Sequence, residues 1–188
     1  MTPPQRNIGL DSLPDAVLCE RAVDGDPMAF EVLARRYGPM MRGYALRLTG
    51  STADADDAVQ ETLIHAWDHL DELRDGGAVK SWLMRICGRR SIDIVRRRRD
   101  HADADALADV PDSRPTPESA TVASSGIRSL AEALEKLPEE QRQCWVLKQT
   151  GGLSYEEIGA QLGISAESVR GRLARARASL MKDLEGWR

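Results

Sequence analysis

Residues 100–126 read DHADADALADVPDSRPTPESATVASSG, and they divide the chain. The stretch holds Pro111, Pro115 and Pro117, many small residues, and no large apolar side chain except Leu107. Arg114 alone stands against Asp100, Asp103, Asp105, Asp109, Asp112 and Glu118. Such a segment buries too little apolar surface to offset the entropy of ordering it. It is expected to be a disordered acidic linker between a domain at 10–99 and a second at 127–185. Stretched out it would span roughly 90 Å at about 3.3 Å per residue, and as a coil about 30 Å. Each domain could then bind its own site. The alternative is one domain with a long surface loop, and structureless loops of that length are uncommon.

On both sides of this stretch the pattern is helical. Leu, Ala, Arg, Asp and Glu dominate, and aromatics make up 4% of the 188 residues, which favours an all-α fold of two small helical domains. Nothing approaches the 18 apolar residues of a membrane span. The start, MTPPQRNIGLDSLPD, lacks the basic and apolar regions of a secretory signal. A cytoplasmic protein is expected. Cys19, Cys87 and Cys144 are far apart with no Cys-x-x-Cys pair, and read as reduced core thiols.

In the first domain Asp26-Pro27 starts a helix, with an acceptor at the cap and proline where its missing N–H costs nothing. Phe30, Leu33, Ala34, Tyr37, Met41, Tyr44, Ala45 and Leu48 recur at helical spacing until Thr49-Gly50. A second helix is expected from about Asp54, its first turn acidic. Its inner side would carry Ala58, Val59, Leu63, Ala66, Trp67 and Leu70. After the loop RDGGAVK, a third helix is expected from near Ser81 to the Arg96–Arg99 run. Seven arginines and one acid, Asp93, lie between Arg85 and Arg99. Arginine grips phosphate well, so this stretch points to nucleic acid. A solvated charged face is the plainer alternative.

In the second domain Leu137-Pro138-Glu139-Glu140 begins a helix. Ser154-Tyr155-Glu156-Glu157 is a capping box, Gly163-Ile164 a tight turn, and Ser165 a cap for the last helix. Two short helices joined by a glycine turn read as helix-turn-helix. At about 100° per residue, Val169, Leu173, Ala176 and Leu180 share one stripe of the last helix. Gly171, Ala174 and Ala178 lie opposite, flanked by Arg170 and Arg177 on one side and Arg172 and Arg175 on the other. Small residues at the crest admit a DNA groove, and the arginines reach phosphates or guanine edges. The net charge of the chain is −4, so unaided DNA affinity should be weak, because it depends on neutralising phosphates. A chain that reads DNA in two places yet holds it poorly looks like a subunit.

Three stretches, in this order, resemble the extracytoplasmic-function sigma factors of bacteria, promoter-specificity subunits of RNA polymerase. They are DGDPMAFEVLARRYGPMMRGYALRLTGSTADADDAVQETLIHAW, DELRDGGAVKSWLMRI followed by IDIVRRRR, and LPEEQRQCWVLKQTGGLSYEEIGAQLGISAESVRGRLARARASL. The resemblance implies that the first domain is sigma region 2 and the second region 4. It implies that Asp57, Gln60 and Glu61 dock on the β′ clamp helices of core RNA polymerase, with a further contact to the β flap. The loop Leu73, Arg74, Asp75, Gly76, Gly77, Ala78, Val79 and Lys80 would receive a flipped base of the −10 element, with Trp82 behind it. Arg85, Arg89, Arg96 and Arg97 would hold strand backbone. Lys148, Ser168, Arg170, Gly171, Arg172, Ala174, Arg175 and Arg177 would contact the −35 element of promoter DNA. An anti-sigma factor is implied as a further partner, and the linker would thread the RNA exit path. Arg89 stands where the family often has Asn, Gly171 for a common Ser, and Glu167 for a common Gly, so promoter sequence does not transfer from relatives.

Two other readings stand beside this one. A free-standing helix-turn-helix regulator would grip DNA alone, usually as a dimer on two half-sites. An enzyme would need a site. His65 and His69 are four apart, but no acid follows His65 as in His-Glu-x-x-His, and Trp67 between them reads as core. No phosphate-binding glycine loop or Gly-x-Ser-x-Gly is present. No catalytic residue, metal or cofactor is expected.

Overall fold

In the computed structural model, residues 9–104 and 125–185 are described. The expected linker lies outside them from 105 to 124, and so do the first eight residues of the expected non-signal N-terminus. The regular secondary structure of the described residues is all helical, with no strand among them. The helices are α1 (Asp15–Val23), α2 (Pro27–Thr49), α3 (Thr52–Asp68), α4 (Val79–Ala104), α5 (Ser125–Glu135), α6 (Glu139–Gln149), α7 (Tyr155–Leu162) and α8 (Ala166–Glu185). Two 3-10 turns, Leu70–Glu72 and Gly76–Ala78, lie between α3 and α4.

The caps of α2 follow the sequence. Asp26 accepts from the Met28 N–H at 3.0 Å, and Gly50 ends the helix with φ +71°. Pro39 lies inside α2 and removes one ladder donor. The helix runs on because Met41, Tyr44, Ala45 and Leu48 beyond it are fully buried. Helix α3 begins two residues before the expected Asp54, since Ser51 is the cap and accepts from the Asp54 N–H at 3.3 Å. Its buried side is Ala55, Ala58, Thr62 and Ala66. These small residues bring α3 close to α2 and α4. The Thr62 hydroxyl donates to the Ala58 carbonyl at 2.6 Å, and Ser91 of α4 does the same to Cys87 at 2.8 Å. Each polar group is thereby satisfied within its own helix.

Three expectations need correction. Trp67 is not core: it is 42% exposed and packs edge-to-face on Phe30 with ring centroids 5.1 Å apart. Helix α4 starts at Val79, not Ser81, because Val79 is buried against the first core. It also runs past Arg99 to Ala104, and α5 begins at Ser125, so both ends of the stretch read as a linker are helical. Helix α1, which the periodicity did not single out, packs on α2. There Arg36 and the Tyr37 hydroxyl meet the Asp15 carboxylate, and Arg35 meets Asp11.

Helices α5 to α8 form a second bundle around α8. Ala133, Leu134 and Leu137 meet Ala176 and Leu180, with Trp145 against them. Cys144, Val146, Leu147, Leu153, Ile158, Val169 and Leu173 are continuous with the core of the first bundle. The turn between α7 and α8 requires two glycines. Gly163 has φ +69°, and a Cβ on Gly159 would fall 2.6 Å from the Ile164 carbonyl oxygen. That oxygen is backbone and cannot yield. Gly159→Ala is expected to destabilise the second bundle by about 1–3 kcal/mol, measured as a lower midpoint of thermal unfolding by circular dichroism.

Candidate nucleic-acid interface

Helix α7 is set by a complete capping box. Ser154 accepts from the Glu157 N–H at 3.1 Å, and the Ser154 N–H donates to Glu157 at 2.7 Å. That backbone donor holds the Glu157 carboxyl below the ordinary carboxylate range. Its capping contribution is therefore present above that range and is lost as pH falls through the lowered value. Ser165 accepts from the Ser168 N–H at 3.1 Å and opens α8.

On α8, Val169, Leu173, Ala176 and Leu180 are all buried, as their spacing predicts. Ser168, Arg170, Ala174, Arg175 and Arg177 are exposed, and Gly171 is half-exposed between them. Two of the expected readers have partners within the second bundle. Arg172 is 20% exposed and reaches Glu140 of α6 at 2.9 Å. Lys148 donates to the Leu153 carbonyl at 2.9 Å and lies 5.1 Å over the Tyr155 ring. Arg170 also lies over the Tyr155 ring, 5.9 Å from its centroid. A cleft of about 470 Å³ is lined by Ser168, Gly171, Arg172, Arg175, Glu140 and Glu167. Glu167 thus sets a carboxylate beside the cations.

The second cluster surrounds residues 73–80. Asp75 accepts from the Gly77 N–H at 2.9 Å and fixes the turn Gly76–Ala78. Gly76 lies on α1: a Cβ there would fall 2.8 Å from the Ala16 Cα, and the Cys19 thiol approaches the Gly76 carbonyl at 3.7 Å. The loop is therefore clamped from below by α1, which sequence reasoning missed. Leu73 is half-buried and Val79 buried, while Arg74, Asp75, Gly77 and Lys80 face solvent. Trp82 packs half-buried against the first core.

Arg85, Arg89, Arg96 and Arg97 are all exposed along α4. Arg97 pairs with Glu61 at 3.2 Å, which joins an expected strand-holding residue to an expected polymerase-docking one. Arg98 holds Asp54 at 2.6 Å and the Thr49 carbonyl at 3.2 Å. Asp57 and Gln60 are exposed. At the same spacing on α3 come Ile64, 56% exposed, and Trp67. Residues 57, 60, 64 and 67 form a stripe separate from the buried 55, 58, 62 and 66. That second apolar stripe on one helix is the signal that could have placed Trp67 outside.

The other chemistry is quiet. Cys19, Cys87 and Cys144 are buried and free, and burial pushes the Cys19 and Cys87 thiols up to about 11. The His65 and His69 rings meet edge-on at 4.3 Å, and burial, then His69, lowers the His65 pKa. Among the described residues no three His, Cys, Asp or Glu side chains are grouped for a metal, and no helix is long and apolar enough to cross a membrane.

The family description Sigma-70 region 2 matches residues 33–101, and Sigma-70, region 4 matches residues 127–180. RNA polymerase sigma factor CnrH of Cupriavidus metallidurans is 32% identical over 175 residues, covering 88% of this chain and 92% of that one. The ECF RNA polymerase sigma-E factor of Salmonella typhimurium is 33% identical over 180 residues, covering 90% and 94%. Among solved structures, the sigma factor RpoE in complex with the anti-sigma factor NepR from Bartonella quintana aligns with a TM-score of 0.61 at 27% identity, covering 83% of this chain and 96% of that one.

The Asp75 cap that fixes the loop is directly measurable. Asp75→Ala is expected to speed hydrogen exchange at the Gly77 amide about fivefold, the equivalent of about 1 kcal/mol for a lost cap, while exchange in α2 stays unchanged.

Proposed function

The chain belongs to the extracytoplasmic-function group of the sigma-70 family and is an RNA polymerase sigma factor, and we propose how its two units divide that work. The observation that carries the proposal is the outward face of α8. Burial of Val169, Leu173, Ala176 and Leu180 turns Arg170, Ala174, Arg175 and Arg177 toward solvent. Ala174 and Gly171 let the helix approach a major groove, and the flanking arginines reach phosphates and base edges of the −35 element. Ser168 adds a hydroxyl at the helix start.

The first unit takes the −10 element as a melted strand. An unstacked base needs a preformed pocket. The capped turn Gly76–Ala78, held on α1 and backed by Trp82, offers a rigid rim for one. Arg85, Arg89 and Arg96 hold the adjoining phosphates. Core RNA polymerase binds the stripe Asp57, Gln60, Ile64 and Trp67 through its β′ clamp helices, and the second unit through its β flap. Apolar Ile64 and Trp67 beside a polar rim suit such a contact. An anti-sigma factor competes for surfaces of this kind. Sigma factors are transcription initiation factors; the chain itself supplies recognition and no catalytic group, and it acts in the cytoplasm, where the chromosome and polymerase are.

Run-off transcription with core polymerase and genomic fragments tests the whole reading. Specific start sites should appear only when the chain is added. Tight promoter binding by the chain alone in physiological salt, without directed transcription, would overturn it in favour of a free-standing regulator. On a promoter found this way, Arg175→Ala is expected to weaken upstream-element recognition by about 1–3 kcal/mol, read as the fall in transcript yield across a titration of promoter DNA.

A further inference from the structure

The outward crest of α8 carries a carboxylate among its small residues. Val169, Leu173, Ala176 and Leu180 fix the buried side of the helix. At about 100° per residue, Glu167 falls about 35° from the direction opposite them, between Gly171 and Ala174. It is exposed. Ser165 accepts from the Ser168 N–H at 3.1 Å, and Glu167 lies in the first turn that follows this cap. The positive end of a helix stabilises a glutamate anywhere in that turn. This accounts for the charge and not for its place on the crest. There it meets a major groove first, because the N-terminal residues of a recognition helix are the ones that reach base edges.

The surroundings of Glu167 give it room. One turn further on, Gly171 has no side chain, and a Cβ there would lie 3.7 Å from the Arg175 Nη1. Arg175 therefore leans back toward the gap. Glu167, Ser168, Gly171, Arg172 and Arg175 line one cleft with Glu140 of α6. Arg172 holds Glu140 at 2.9 Å. The cleft thus sets a guanidinium and a second carboxylate on either side of a glycine.

In a major groove these two groups are opposite probes. Phosphates repel Glu167, so it lowers affinity for DNA in general. An ionised carboxylate only accepts hydrogen bonds. Guanine offers it two acceptors, and thymine an acceptor and a methyl group, whereas the N4 amino group of cytosine donates. Adenine donates from N6 but sets the N7 acceptor beside it. A group that penalises most bases and rewards one is a filter rather than a source of affinity.

We infer that Glu167 is a specificity-determining residue: its carboxylate accepts from the N4 amino group of a cytosine in the −35 element and rejects guanine and thymine at that place. The inference rests on the reading of α8 as the −35 helix and deepens it.

The experiment uses the full chain with core RNA polymerase on the promoter found by run-off transcription. Each base pair of the upstream element is replaced in turn by the other three, and each cytosine, on either strand, singly by N4-methylcytosine. The methyl group leaves the pair with guanine intact and caps the amino hydrogen that faces the major groove. At one position the wild type is expected to lose about tenfold in transcript yield with guanine, thymine or N4-methylcytosine. Glu167→Ala flattens the preference at that position alone. Glu167→Gln, which keeps the shape and can take adenine at N6 and N7, moves the preference from cytosine to adenine. If both variants change yield by the same factor on every sequence, Glu167 acts only on phosphates or on the helix end, and the inference is overturned. Indifference of the wild type to N4-methylcytosine at every position overturns it as well, and that comparison needs no variant to fold. Transcription that depends on the upstream element without a Glu167-dependent cytosine removes this inference and leaves the −35 reading of α8 standing. A wild type with no dependence on the upstream element removes both.

Discussion

The rotational setting of α8 is fixed by one stripe of buried side chains, and the function of the second unit depends on it. A shift of one residue would turn the helix by about 100° and carry the arginines into the core. Val169 and Ala176 are fully buried and Leu173 and Leu180 nearly so. Burying a Val or Leu contributes roughly 1.5–3 kcal/mol, so no alternative register competes. The turn before α8 adds its own restraint through Gly159 and Gly163. The outward face of α8 is thus specified by the residues buried on its other side.

The arginines show how charge density misleads when partners are ignored. Along α4, Arg85, Arg97, Arg98 and Arg99 each face a carboxylate, and Arg96 faces a carbonyl. Most of these pairs are solvent-exposed and individually weak, of order 0–1 kcal/mol. Collectively they neutralise the helix at little cost and release it at little cost. A cationic surface of this kind is poised for exchange of partners, in keeping with a net charge of −4 for the whole chain.

Most of the architecture was legible in local signals. Asp26-Pro27, Thr49-Gly50, the Ser154–Glu157 box and the Gly163 turn are complete within a few residues, and each stands where the sequence put it. The stripe of α8 was legible for the same reason. What failed was non-local. Trp67 fitted the inner periodicity of α3, but the alanines on that helix bring α2 and α4 too close to admit an indole, so it turns out to Phe30. Arg172 and Lys148, placed at the −35 element by position, also hold Glu140 and the Leu153 carbonyl, partners that packing supplies and local sequence does not reveal. The ends of α4 and α5 were misjudged because composition alone marked the tether, and helices outrun composition. The platform that α1 makes under Gly76 left no trace in periodicity at all.

The three cysteines lie in separate places: Cys19 under the loop, Cys87 in the first core, Cys144 in the second bundle. Each thiol is shielded by a different piece of structure. Rates of alkylation at the three would consequently follow three distinct openings, giving the molecule a set of native labels whose reactivities chart its breathing site by site.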